Sequence, residues 1–307
     1  MSGDDDSSGW QLTESDPGVF TELLKSLGVP LIVDDLYTLD AIELASLQPL
    51  RALIFLFKWL PDAGEPDATG GAYDTAFPVL NALGNIPDLT VGPELRELLS
   101  FTTGMDAQTR GLAVTSADWL RAAHNALSPP SAISLDGLDL PRTTEDAYHF
   151  IVYLPILGSV YELDGLKQAP ITHGLYEEGG EGWIARARGV IETRIATYPS
   201  GSLEFSLLAL RDDPLPTLRA QLSSAQASGD GAREADLAQG LADEHAKRDR
   251  WAFENSLRRH NYFGLIHSLT VALAKAGRLD AAVDGARTTM TRRIEERRKK
   301  GQPMDED

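Results

Sequence analysis

The stretch Arg142 to Leu166, RTTEDAYHFIVYLPILGSVYELDGL, decides how this chain is read. It holds two runs of β-forming residues, AYHFIVYL and SVYELD, separated by the Pro and Gly of Pro155 to Gly158. That is the pattern of a β-hairpin. A turn centred between Ile156 and Leu157 sets His149 opposite Asp164, and directly opposed residues in an antiparallel pair have Cβ atoms about 4.5–5.5 Å apart. A carboxylate at that distance fixes an imidazole in one tautomer and stabilises its protonated form, the orienting role in a hydrolytic triad. The same pair can also be a plain structural hydrogen bond, so the surrounding sequence has to decide. One component is missing. The 307 residues include no cysteine.

Several other segments have clear signatures. In WQLTESDPGVFTELLKSLGV (Trp10 to Val29), Ser15 or Asp16 caps a helix, Pro17 occupies its first turn, and Phe20, Leu23, Leu24 and Leu27 recur at helical spacing. LRALIFLFKW (Leu50 to Trp59) reads as a buried strand and LEFSLLAL (Leu203 to Leu210) as another. SPPSAISLDGLDLPR (Ser128 to Arg142) has the composition of a loop.

The hairpin resembles the His and Asp segments of the ubiquitin carboxyl-terminal hydrolases, the papain-like cysteine peptidases of family C12. In that family the pattern EDAxHF…YELDGL carries the general base and its orienting acid. Glu145, Asp146, Ala147, His149 and Phe150 match it, as do Tyr161 through Leu166. The resemblance extends over nearly the whole chain. It implies that the Ser-Asp-Pro turn contacts ubiquitin, with Ser15, Asp16 and Phe20 as candidates. It also implies that Gly111 to Leu127 is a helix capped by Ser116, and that Ser128 to Arg142 crosses over the active site. The expected fold is α+β and papain-like, a central antiparallel sheet flanked by helices, with an all-helical C-terminal extension. The implied activity is thiol-dependent cleavage at the C-terminal glycine of ubiquitin in ubiquitin-dependent protein catabolism. It needs no cofactor and belongs in the cytoplasm and nucleus.

At the nucleophile the chain departs from the family. Relatives carry a motif close to Q-V-x-x-N-A-C-A-T-Q-A between the FKW strand and a helix resembling VLNALGNIP. Here Phe57 to Trp59 is followed by Leu60, then PDAGEPDATGGAYDTAFP, and then directly by Val79 to Pro87. Either the motif is deleted at the Pro78–Val79 junction, or Ala72-Tyr73-Asp74-Thr75 stands on A-C-A-T and Tyr73 replaces the cysteine. Deletion keeps Val79 to Asn85 in register with the family helix, and substitution puts Asp67 where the oxyanion Gln belongs. Deletion is therefore the preferred alignment. Both readings remove the thiolate and the oxyanion donor, and Thr69 or Thr75 without a positioned base is a poor substitute. A deletion also opens a void, at about 2–5 kcal/mol per large buried side chain, against total domain stabilities of roughly 5–15 kcal/mol. A skipped exon and a true pseudoenzyme both fit this sequence.

Charge divides the chain. Residues 1–213 hold 12 basic and 32 acidic residues, a net of −20, and residues 214–307 hold 16 and 14, a net of +2. The break coincides with RDDPLP (Arg211 to Pro216), so the expected organisation is an acidic tail over 1–8, a hydrolase-like domain over 9–213, a helical extension over 214–295 and a charged tail over 296–307. An acidic body argues against nucleic acid and suits a basic partner such as ubiquitin's C-terminal tail. No apolar run approaches the roughly 18 residues of a membrane span. The six histidines are scattered without ligand spacing, so no metal is expected.

In the second half, Leu215, Leu218 and Leu222 recur at helical spacing, and a charged segment runs from Arg233 to Arg259. A helix from Asn261 to Ala276 then puts Tyr262, Leu265, Ile266, Leu269 and Leu273 on one face, with Gly277 as its C-cap. FENSLRRHNY (Phe253 to Tyr262) resembles the extension found in the proteasome-associated branch of the family. There the extension docks on an adaptor domain of the proteasomal ubiquitin receptor, which makes Arg258, Arg259, His260, Asn261 and Tyr262 the candidate contacts.

Overall fold

The computed structural model describes residues 9–11, 13–58, 70–77, 89–128, 148–198 and 205–299. The acidic tail, Asp67, Thr69, the Val79 to Pro87 run, the crossover stretch from Pro129 to Arg142 and the last residues of the charged tail lie outside the described residues. Seven described strands form one antiparallel sheet in the order β1-β7-β2-β4-β5-β6-β3. They are β1 (Leu31–Leu36), β2 (Leu50–Lys58), β3 (Ala72–Tyr73), β4 (Tyr148–Ile156), β5 (Ser159–Asp164), β6 (Ile171–Leu175) and β7 (Phe205–Asp212). The described helices are α1 (Pro17–Ser26), α2 (Ala41–Ser46), α3 (Pro93–Phe101), α4 (Ala107–Thr115), α5 (Asp118–Asn125), α6 (Trp183–Ala196), α7 (Pro214–Ser228), α8 (Gly231–Arg259), α9 (Phe263–Lys275) and α10 (Leu279–Lys299).

The period-2 pattern of the strands gives the sheet two apolar faces. On one, Phe55, Phe57, Ile151, Tyr153 and Val160 pack with Leu44 of α2 and with Ile184, Ala187, Val190 and Ile191 of α6. Fully burying a Val or Ile contributes about 1.5–3 kcal/mol, so α6 is firmly held. On the other face, Val33, Leu56 and Leu208 pack with Phe20 and Leu24 of α1. A third cluster joins Ala52, Leu154, Ile156 and Tyr161 to Phe77, Val152 and Leu163. Helices α3, α4 and α5 contrast with α6, because none of their residues is fully buried. Leu95, Leu98, Leu99 and Leu120 are half-buried, and Phe101 and Leu112 are 65% and 60% exposed. An amphipathic helix ordinarily buries one face, and none of these three does so against the described residues.

The hairpin forms with a different register from the one expected. Ile151 pairs with Asp164, Tyr153 with Glu162 and Ile156 with Ser159, so the turn is Leu157–Gly158. Both turn residues have positive φ, 48° and 78°, the type I′ geometry whose twist matches that of the flanking strands. Pro155 belongs to β4 rather than to the turn. It lies past Tyr153, the last β4 residue paired with β2, where a missing N–H breaks no ladder bond. Two further expectations are corrected. The helix expected over Gly111 to Leu127 is two helices, and Ser116 ends α4 while Ala117 stands at the N-cap of α5.

The described chain falls into two compact units, one ending at Arg258 and the other beginning at Arg259. The charge break at 213/214 lies inside the first unit. Asp213 accepts from Leu215 N at 2.8 Å to cap α7 and receives both terminal nitrogens of Arg248 in α8, at 3.0 and 2.6 Å. Net charge changes there, but packing does not. In the second unit α9 ends in a Schellman motif. Gly277, at φ +64°, donates to Ala274 O at 3.0 Å, and Arg278 donates to Leu273 O at 2.9 Å.

Candidate active site on the β4–β5 hairpin

His149 lies near the start of β4, directly across from Phe57 of β2. The imidazole stands edge-on to that ring, with centroids 5.4 Å apart and planes at 87°. On its other side, Nε2 reaches Asp164 Oδ1 at 2.7 Å. Because the register is two residues from the expected one, the pair is diagonal rather than opposed. Both side chains still lie on the face covered by α6, and diagonal Cα atoms about 7–8 Å apart are bridged by side chains of this length. The sequence identified the right partners by the wrong geometry.

Asp164 is fully buried at its side chain, and His149 retains 13% exposure. Burial alone would push the Asp164 carboxyl up. The His149 hydrogen bond, the Leu166 amide and the electrostatic attraction of His149 and Arg194 outweigh it and hold the group below the usual carboxylate range. Leu166 N donates to the same Oδ1 at 2.8 Å, while the buried Oδ2 has no hydrogen-bond partner among the described residues. An ionised carboxylate only accepts, so Nε2 carries the proton. That leaves Nδ1, which makes no hydrogen bond to any described residue, as the basic nitrogen. This arrangement can take a proton from a nucleophile and return it to a leaving group.

No nucleophile accompanies it among the described residues. Tyr73 lies in the two-residue β3, paired with Ile171 of β6 at the far edge of the sheet, and is not at a helix N-terminus. Asp74 beside it accepts from Tyr161 Oη at 3.0 Å, and Phe77 stacks on Tyr161 at 4.6 Å. Thr75 lies in the same turn.

The remaining candidates occupy separate places. Asp16 caps α1, accepting from Gly18 N at 2.9 Å and Val19 N at 3.2 Å. Ser15 is exposed, and Phe20 packs toward the Val33–Leu56–Leu208 cluster. Arg258 is used inside the first unit, with Nε on Glu14 at 2.6 Å and Nη2 on Asp16 at 3.0 Å. Arg259, His260, Asn261 and Tyr262 begin the second unit. The His260 and Tyr262 rings meet edge to face at 4.8 Å, and Asn261 Oδ1 accepts from Phe263 N at 2.9 Å at the start of α9.

Sequence reasoning missed a buried polar cluster beside the pair. Glu162 is 0% exposed, Tyr153 0%, Arg194 2% and His173 3%. Arg194 Nη2 donates to Glu162 Oε1 at 2.6 Å and Nε donates to Tyr153 Oη at 3.0 Å. His173 Nε2 lies 2.8 Å from Glu162 Oε2. The available signal was Glu162 itself, an acidic residue two places before Asp164 and so on the same inward face of β5. Among the described residues no group of His, Asp and Glu could hold a metal ion, and no helix is long and apolar enough to cross a membrane.

A His base held by an Asp on an antiparallel sheet with α6 behind it defines the architecture of the papain-like thiol peptidases. Comparison with known proteins gives the assignment. The ubiquitin carboxyl-terminal hydrolase family 1 model matches residues 10–77 and 75–196, and a ubiquitin carboxyl-terminal hydrolase C-terminal model matches residues 235–279. The chain belongs to the ubiquitin carboxyl-terminal hydrolase family. It is 35% identical over 304 residues to ubiquitin carboxyl-terminal hydrolase ubh-4 of Caenorhabditis elegans, covering 92% of each chain. It is 28% identical over 341 residues to isozyme L5 of Dictyostelium discoideum, covering 94% of this chain and 98% of that one. Among solved structures, Trichinella spiralis UCH37 bound to ubiquitin vinyl methyl ester superposes with a TM-score of 0.60 at 31% identity, covering 79% of this chain and 99% of the other.

Proposed function

We propose that this chain binds ubiquitin through the surfaces of its family but does not hydrolyse it, because the segment bearing the cysteine and the oxyanion donor is missing at the Pro78–Val79 junction. The observation that carries this reading is an ordered base and acid, His149 and Asp164 at 2.7 Å, in a chain with no cysteine. The family match supports it, since its two pieces meet at residues 75–77, next to that junction. So does Tyr73, whose edge-strand position suits a residue upstream of the lost motif better than a replacement for the cysteine. The family pattern puts a helix at the deletion, and helices α3 to α5 without a buried residue are what its loss would leave. Ubiquitin binding is supported by the solved relatives, which carry a ubiquitin derivative.

The test measures binding and turnover on one preparation of the full chain. Calorimetry should give saturable heat with ubiquitin, and a fluorogenic ubiquitin amide should not be cleaved. Cleavage abolished by His149→Ala would mean that another nucleophile is in use. Folded chain that gives no heat would remove the binding half of the proposal. Sequencing the genomic DNA between the codons for Pro78 and Val79 separates a skipped exon from a loss in the gene.

The second unit supports a second role, docking on an adaptor domain of a proteasomal ubiquitin receptor. Phe263, Leu265, Ile266 and Leu269 of α9 are 58%, 54%, 47% and 55% exposed, an apolar set that a partner would cover. In the full chain, the double substitution Leu265→Asp and Leu269→Asp should abolish capture by that adaptor domain while leaving the melting temperature within about 2 °C, as expected of surface changes. Undiminished capture would place the docking surface elsewhere.

A further inference from the structure

The pleat of β5 aims Glu162 and Asp164 into the same interior, and the side chains of both are 0% exposed. Two carboxylate anions buried one pleat apart repel each other, and a nearby cation offsets that repulsion. The groups around them come from two strands and one helix. His149 on β4 faces Asp164 at 2.7 Å, and His173 on β6 faces Glu162 at 2.8 Å. Tyr153 on β4, opposite Glu162 in register, is kept neutral because burial beside that carboxylate pushes its hydroxyl far above the ordinary range. Arg186 of α6 is engaged by the backbone of His173, with Nε and Nη2 at 2.9 and 2.5 Å from its carbonyl. Among the described residues around the two carboxylates, the permanent buried positive charge is Arg194 of α6, which donates to Glu162 and Tyr153 at 2.6 and 3.0 Å.

We propose that Arg194 is a positioning residue for the His149–Asp164 pair: by compensating Glu162 it lets Asp164 remain an anion, and so fixes the proton on His149 Nε2 and leaves Nδ1 free for a nucleophile. Arg194 touches neither reacting nitrogen and acts through the two carboxylates. Asp164 Oδ2 bears on the same point. This buried oxygen has no hydrogen-bond donor among the described residues, so the charge on Asp164 depends on Oδ1's two donors and on the surrounding field. The lowered pKa of Asp164, to which the charge of Arg194 contributes, agrees with the geometry. The proposal rests on reading His149 and Asp164 as base and orienting acid. Its readout is protonation rather than turnover, so its failure and the failure of that reading can be told apart.

The experiment is NMR on the full chain, following the Asp164 carboxyl carbon through an acid titration and the imidazole nitrogens of His149 at neutral pH. In Arg194→Met the Asp164 midpoint should rise by about 1 pH unit or more, and the Nε2–H tautomer of His149 should lose population. Arg194→Lys should restore both signals towards the parent, a rescue that loss of packing alone would not give. An Asp164 midpoint and tautomer unchanged in folded Arg194→Met would overturn the proposal. If Arg194→Met does not fold, because Glu162 is left buried and uncompensated, a second comparison decides. Glu162→Gln leaves Arg194 in excess and should lower the Asp164 midpoint, while the double variant Glu162→Gln with Arg194→Met should return it close to the parent. Identical midpoints in those two variants would also refute the role given to Arg194.

Discussion

His149 and Asp164 hold their paired geometry in a chain with no cysteine. The buried carboxylate has two donors, the imidazole and the Leu166 amide, and hydrogen bonds to a charged group contribute roughly 1.5–3 kcal/mol each. Removing the ring in His149→Ala should therefore cost about 1–3 kcal/mol at neutral pH, measured by denaturant unfolding. The pH dependence follows from the direction of the Asp164 shift. Its folded pKa lies below the unfolded value of about 3.9. The stabilisation is thus present above that value and is lost as pH falls through the folded pKa. Without His149 the folded pKa rises, so acid unfolding followed by circular dichroism should begin at a higher pH in the variant. An unshifted acid limb would mean that the bond contributes nothing to the native charge state. Both residues were legible in the sequence through residue type and motif. Arg194 was not, because it reaches Glu162 from α6 and no local spacing connects them.

At the level of secondary structure, β2, β7 and the hairpin could be read from runs of β-branched and aromatic residues, and α1 from its Asp16-Pro17 start. The hairpin register could not. Pro155 looks like a turn residue in isolation and is accommodated in β4 only because β2 has already ended its pairing there. The docking of α8 was also hidden, since it depends on contacts across the chain. Asn255 donates to Gly18 O at 3.1 Å and to Glu22 at 2.6 Å, and Trp251 covers Gly18 so closely that an added Cβ would lie 2.7 Å from its ring. Gly18→Ala must push Trp251 away and should cost about 1–3 kcal/mol, the usual penalty of overpacking. Combining it with Trp251→Ala should give a total loss smaller than the sum of the two single losses, because the clash disappears with the ring. Additive losses in a double-mutant cycle would show that the two residues do not meet in solution.

The protein as a whole is a ubiquitin carboxyl-terminal hydrolase fold with its sheet and the His149–Asp164 pair in place, and its helices α3 to α5 without a buried residue. The charge step at 213/214 marked a real compositional change and missed the compact boundary at Arg258. Arg258 and Arg248 of α8 bind acidic residues of the first half, so this helix is tied to the acidic body instead of separating from it. If, as proposed, a buried helix with the cysteine at its N-terminus belongs between Pro78 and Val79, inserting it should improve packing and supply the chemistry together. Amide exchange in α3 to α5 should then slow by about tenfold or more, the signature of a gain exceeding about 1.4 kcal/mol in local opening. Unchanged exchange would mean that those helices never depended on the missing layer.

The most direct measurement is turnover of a fluorogenic ubiquitin amide by the chain as it stands and by the chain with a Q-V-x-x-N-A-C-A-T-Q-A segment placed between Pro78 and Val79. The account predicts no hydrolysis by the first. It predicts hydrolysis by the second that disappears in His149→Ala, together with a higher melting temperature. Replacing the first Gln of the segment with Ala should slow that recovered activity by about 10²–10³-fold, the cost of one oxyanion donor. His149-dependent turnover by the chain as it stands would contradict the account. So would a restored chain that folds, binds ubiquitin and remains inactive.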